Sequence, residues 1–132
     1  MEVFKNYPAE ILILLFLIVT FLQSGLDKVT DWKGNLSFIK DHFSNSPLKN
    51  MVPLLLATIL ILEIIASVFM IFGLYQLAFD GIKTYALLGA ELSALTLILL
   101  LIGQRLAKDY AGAMTLADYF VPTIFGVYLL SK

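Results

Sequence analysis

The segment from Met51 to Tyr75 constrains the fold most, because it is strongly hydrophobic and carries one charged side chain, Glu63, near its middle. At a rise of about 1.5 Å per residue, a helix of this length crosses a bilayer core of roughly 30 Å. A carboxylate at that depth is costly unless it is paired, hydrogen-bonded or protonated. The segment is therefore predicted to be a transmembrane helix whose one acid needs a partner.

The composition of the chain favours a membrane protein and excludes several kinds of chemistry. Of its 132 residues, 60% are hydrophobic and 14% charged, and a soluble domain of this size has too much surface to tolerate that balance. The net charge of −1 gives no basic surface for nucleic acid. The chain has no cysteine and one histidine, His42, so thiolate chemistry, iron–sulfur clusters and bis-histidine haem are excluded. His42 is expected to be solvated in a polar loop, and we expect no covalent or metal-ligated cofactor and no enzymatic activity of the chain by itself.

Hydrophobic patterning predicts one domain, residues 1–132, with an all-α fold: an integral membrane four-helix bundle. The predicted spans are residues 8–25, 51–75, 84–104 and 112–130. The long polar connection after the first span carries four apolar side chains at helical spacing: Trp32, Leu36, Ile39 and Phe43. This pattern predicts a short amphipathic helix in the membrane interface, and a small cap packed over the bundle is the alternative.

Three acids inside the predicted spans form a candidate buried polar site: Glu63, Glu91 and Asp118. The two glutamates differ in height by one or two turns, so they would share a proton if both faced the bundle interior. Asp118 enters from the opposite end, where Lys28 and Arg105 are candidate charge partners. The structural alternative is that the glutamates are protonated hydrogen-bonding groups between helices and that Asp118 forms an ion pair near the membrane surface.

Two short elements resemble those of a known family. The end of the first span, FLQSGLDK, contains Gly25 and Lys28 and is similar to the F-x(n)-G-x-x-K element of the DoxX family of small four-span bacterial membrane proteins. The second span, LEIIASVFMIFGL, contains Glu63 and Gly73 and resembles the family's E-x(n)-G segment. The resemblance covers most of the chain, and it implies that these four residues are the positions of interest. It also implies a multi-pass protein of the bacterial inner (cytoplasmic) membrane.

The resemblance leads to two hypotheses about function. Members of the family are associated with thiosulfate:quinone oxidoreductases and with complexes that handle thiol or oxidative stress, but the absence of cysteine argues against a thiol mechanism here. The first hypothesis is a non-catalytic subunit or assembly partner of a membrane complex that contacts quinone, with other subunits or further copies of the chain as partners within the lipid bilayer. The alternative is a small proton-, quinone- or solute-binding carrier that uses Glu63. The small size of the chain and its lack of cofactor ligands favour the first.

Overall fold

The computed structural model describes residues 7–131, and every regular element in that range is a helix. The helices are α1 (Pro8–Thr30), α2 (Trp32–His42), α3 (Val52–Asp80), α4 (Thr84–Leu106) and α5 (Tyr110–Leu130). Within the described range, α1, α3, α4 and α5 are long and apolar enough to cross a membrane. The predicted all-α four-helix membrane bundle is thus confirmed, and the polar connection after the first span contributes α2.

Local interactions at the helix ends set where each helix begins and stops. The Asp31 carboxylate accepts a hydrogen bond from the backbone N–H of Gly34 at the start of α2, and Asp109 does the same for Gly112 in α5. Such N-caps satisfy backbone donors that have no partner inside the helix. At the end of α3, Gly81 adopts a left-handed conformation with φ of 68°, which allows the tight turn into α4. The connections from α3 to α4 and from α4 to α5 are therefore short, and these spans lie antiparallel.

The closest helix pair is α3 with α4, whose backbones touch. A Cβ atom at Gly73 would overlap the backbone of Ala86, and one at Gly89 would collide with Met70. Small residues of this kind let transmembrane helices approach closely. The other contacts place α1 against α3 and α5 against α4, whereas α1 and α5 touch each other only sparsely. The bundle therefore has its loosest seam between α1 and α5.

The amphipathic helix α2 lies against one end of the bundle. Its apolar stripe of Trp32, Leu36 and Ile39 is half-buried, and the helix contacts both α1 and α3. Immediately after it, Phe43 lies close to Gly103 near the end of α4. Two arrangements were predicted for this segment, a helix in the membrane interface and a cap packed over the bundle. These contacts favour the packed cap.

Candidate functional site

The central polar feature of the bundle is an ion pair between α1 and α3. The Lys28 Nζ atom lies 2.8 Å from Glu63 Oε1, and the two side chains are 15% and 3% exposed. The same ammonium donates a hydrogen bond of 2.7 Å to the Ser24 hydroxyl one turn earlier in α1. Glu63 thus has the partner that its position in the span requires, and the partner is Lys28.

The direction of side chains in helices explains how a residue near the end of α1 reaches an acid well inside α3. Side chains tilt toward the N-terminus of their own helix. Because α1 ends where α3 begins, Lys28 points back into the bundle from the last turn of α1. Glu63 lies about 16 Å along α3 and tilts toward the same end, so the two side chains converge. Gly25 faces α3 at this level, and a Cβ there would lie at an ordinary contact distance of 3.4 Å from Ile64 Cγ1.

The Glu63 carboxylate meets Lys28 through its Oε1 atom. Its Oε1 atom is buried and accepts no hydrogen bond of regular geometry from the part of the chain that the structure describes. The 2.8 Å approach of Lys28 Nζ is therefore a Coulombic contact, which depends on distance, whereas a hydrogen bond also requires alignment. The other polar contact at this position involves the backbone, because the Ser67 hydroxyl donates to the Glu63 carbonyl at 2.8 Å.

A cavity of about 380 Å³ borders this ion pair at the seam between α1 and α5. Its floor includes Glu63 of α3 and Leu97 and Leu100 of α4, so all four spanning helices contribute. Its polar lining residues are Thr20, Gln23, Ser24, Asp27, Glu63 and Tyr119. A largely apolar, partly open cavity of this volume with a few converging polar groups is typical of a site for a small molecule.

Glu91 and Asp118 do not belong to this cavity. Both side chains are exposed on the outside of the spans, and neither forms an ion pair within 4.0 Å among residues 7–131. Glu91 lies on the outer face of α4, so the condition for proton sharing with Glu63, that both side chains face the bundle interior, is not met. The three acids do not form one buried site in the single chain.

The charge partners predicted for Asp118 are engaged elsewhere. Lys28 contacts Glu63, and the Arg105 guanidinium lies over the ring of Tyr110 at 5.3 Å from the ring centroid. The predicted ion pair between Asp118 and either cation is therefore absent from the described part of the chain.

His42 also lies in an environment different from the one predicted from the sequence. Its Nε2 atom lies 2.8 Å from Gln104 Oε1 and 3.4 Å from Asp109 Oδ2, and its side chain is 24% exposed. The expectation of a solvated histidine is wrong, since these contacts tie the end of α2 to the turn between α4 and α5. The sequence did contain an indication that His42 is partly buried. His42 follows Ile39 by three residues and therefore lies on the half-buried face of α2.

A second ion pair joins α1 to α4 at the opposite end of the bundle. Lys83 Nζ lies 3.5 Å from Glu10 Oε2 and 5.1 Å from the ring centroid of Tyr7. Near this end, the Gln76 Oε1 atom is buried without a hydrogen-bond donor among the described residues. The sequence did not predict this pair, because nothing in it indicates that two charged residues near the ends of different spans are neighbours.

Comparison with known proteins gives one match. The family model described as DoxX matches residues 11–107. The matched range includes Gly25, Lys28, Glu63 and Gly73, and it ends before α5. No curated protein and no solved structure matches the chain.

Proposed function

The chain belongs to the DoxX family of multi-pass membrane proteins, and we propose that it binds a small amphipathic ligand with a quinone-like head at the Lys28–Glu63 pair. The observation that carries this proposal is the position of the ion pair, which borders a cavity of about 380 Å³ at the α1–α5 seam. A buried ion pair is expensive to maintain, and buried charges in transmembrane segments commonly mark sites of binding or transport.

The polar groups of the cavity suit a ring that carries carbonyl or hydroxyl oxygens. Within the lining, the Glu63 carboxylate accepts hydrogen bonds and the Ser24 hydroxyl can both donate and accept them. The Lys28 ammonium contacts both groups and holds a positive charge beside them. A quinone offers acceptors and its reduced form offers donors, so both forms find a complementary group. Tyr119 and Gln23 line the same cavity and supply further groups of both types. The seam faces the bilayer, so an apolar tail would remain in lipid while the head entered the protein.

Binding of a short-chain quinone probe tests the proposal, with empty nanodiscs measuring the quinone that dissolves in the lipid. Purified protein in lipid nanodiscs is titrated with decylubiquinone, and the retained quinone is quantified after extraction. We expect saturable binding that Glu63→Gln and Lys28→Met each weaken at least about tenfold. The first variant removes the charge of the lining carboxylate, and the second removes the cation that contacts Glu63 and Ser24. Glu10→Gln is the matched control, because it removes a carboxylate from an ion pair at the other end of the bundle.

A second variant separates a binding defect from a folding defect. Leu116→Trp fills the cavity from α5 and leaves both charged residues intact. It should abolish quinone binding while the circular dichroism spectrum and melting temperature stay close to those of the parent. Equal decylubiquinone binding by the parent, Leu116→Trp and Glu63→Gln would refute a quinone-type site at this cavity.

The second candidate function is that of a non-catalytic subunit or assembly partner in a bacterial inner-membrane complex. The observation that favours it is the exposure of Glu91 and Asp118 on the spans, where contact with lipid is costly for a carboxylate. A neighbouring membrane subunit, or another copy of the chain, would cover them. Mild-detergent purification followed by mass spectrometry should retain stoichiometric partners, and Glu91→Leu with Asp118→Leu should change their retention. Isolation of a stable monomer from native membranes, with both acids still exposed, would contradict this role.

A further inference from the structure

A second concave surface lies on the outside of the bundle, between the end of α4 and the beginning of α5. This crevice has a volume of about 700 Å³. Its walls are mostly apolar and include Leu101 of α4 and Met114 and Ala117 of α5, and Met114 is 71% exposed. Arg105 and Tyr110 lie at its mouth, close to the turn that joins the two helices. The crevice does not share a lining residue with the cavity beside Glu63.

Arg105 provides an unneutralised cation at this mouth. Its side chain is exposed, and it forms no ion pair within 4.0 Å among residues 7–131. Its guanidinium instead lies over the Tyr110 ring, which leaves its N–H groups free to bind an anion. The exposed Lys108 follows in the connecting turn. The nearby Asp109 carboxylate is engaged, since it accepts the Gly112 N–H and contacts His42.

The height of these groups matches the headgroup region of a bilayer. Arg105 is in the last turn of α4 and Tyr110 is the first residue of α5, so both lie where the spans leave the apolar core. From this level the apolar walls extend along α5 to Ala117, about 10 Å deeper. Asp118 lies deeper still, roughly 12 Å along α5 from Tyr110, and is therefore remote from the mouth.

We propose that this crevice binds an anionic phospholipid, with the phosphate held by Arg105 and an acyl chain lying along the apolar wall. Charge complementarity selects this occupant over a partner helix, because an unpaired arginine at headgroup level above an apolar groove matches the two halves of a lipid. The proposal concerns a different surface from the quinone-type site and does not depend on it.

Lipid titration monitored by native mass spectrometry tests the proposal. The full chain in mild detergent is titrated separately with phosphatidylglycerol and phosphatidylcholine, and the bound lipids are counted. We expect tighter binding of phosphatidylglycerol, and about fivefold weaker binding by Arg105→Gln. Ala117→Trp should weaken binding by occupying the crevice without changing its charge. Lys49→Gln is the matched control, because it removes an exposed cation from the loop before α3 and should leave binding unchanged.

The same titration can overturn the proposal in two ways. Equal affinity of the parent for both lipids would show that the arginine does not recognise the phosphate charge. Equal losses in Arg105→Gln and Lys49→Gln, with no loss in Ala117→Trp, would indicate diffuse attraction to a basic surface. Decylubiquinone binding by Arg105→Gln should equal that of the parent, so a failure of the lipid site is distinguishable from a failure of the quinone-type site.

Discussion

Removing Lys28 alone should destabilise the protein more than removing Lys28 and Glu63 together. In Lys28→Met, the Glu63 carboxylate stays in a site where its side chain is 3% exposed, without a cation. Breaking a buried pair from one side costs about 3–5 kcal/mol, whereas replacing both partners by apolar groups of similar size is close to neutral. We therefore expect Lys28→Met to lose about 3 kcal/mol or more and Lys28→Met/Glu63→Leu to lie within about 1 kcal/mol of the parent.

The structure also predicts that the two single variants differ. In Glu63→Leu, the Lys28 ammonium keeps its hydrogen bond to the Ser24 hydroxyl, and its side chain is 15% exposed. The lysine therefore retains a hydrogen-bond partner and more access to water, whereas the Glu63 side chain in Lys28→Met is only 3% exposed and has lost its cation. Glu63→Leu should cost less than Lys28→Met, by about 1–2 kcal/mol. The free energy of unfolding is measured by titrating the protein from dodecylmaltoside into sodium dodecyl sulfate and following helicity by circular dichroism.

A double-mutant cycle decides whether this reasoning holds. A coupling energy of about 2 kcal/mol or more between Lys28 and Glu63 is expected, and additivity within about 0.5 kcal/mol would refute it. Glu10 and Lys83 provide the control cycle, since they are 3.5 Å apart with side chains 13% and 22% exposed. Their coupling should be smaller than that of Lys28 and Glu63, because the atoms are farther apart and both side chains are more exposed than their counterparts.

Two further predictions concern packing and the cap. Gly73→Ala should lower the unfolding free energy by about 1–3 kcal/mol, because its Cβ meets the Ala86 backbone. Gly25→Ala has more room and should change the unfolding free energy by less than about 1 kcal/mol. Equal losses for the two variants in the same detergent titration would contradict this prediction. His42→Phe removes the contact with Gln104, so backbone hydrogen exchange in α2 should accelerate about fivefold while exchange in α3 stays constant. Unchanged exchange in α2 would show that this contact does not hold α2 against the bundle.

The architecture was predictable because long apolar segments have few solutions in a membrane. A spanning segment must satisfy its backbone hydrogen bonds internally, so hydropathy and length are enough to predict helices. The position of Glu63 near the middle of such a segment likewise indicated that it needs a partner. Its identity as Lys28 was not predictable, because a lysine near a span end is expected to reach outward to the interface. The continuation of α1 to Thr30 placed Lys28 inside a helical turn, from which its side chain points inward.

The orientation of Glu91 and Asp118 was unpredictable for a related reason. Helices that are apolar on all sides have no stripe to mark which face meets the bundle. The sequence predicts how deep each acid lies in the membrane but not which face of the helix it occupies. In the single chain, both acids lie on the outer surface of the bundle. His42 is the opposite case, since its amphipathic helix has a clear apolar face and the periodicity includes it.

The expected stability of the double variant bears directly on why the Lys28–Glu63 pair is present. If an apolar pair of similar volume would hold α1 against α3 as well, the folded state gives no reason for two charges at this depth. The small glycine at position 25 and the sparse contacts between α1 and α5 also forgo packing beside the pair. These features together produce a partly open cavity with a charged residue in its lining. A bundle selected for stability alone would be apolar and closed at this position. We therefore expect Lys28→Met/Glu63→Leu to keep the stability of the parent and to lose decylubiquinone binding, because the two charges are dispensable for the fold and required for the ligand.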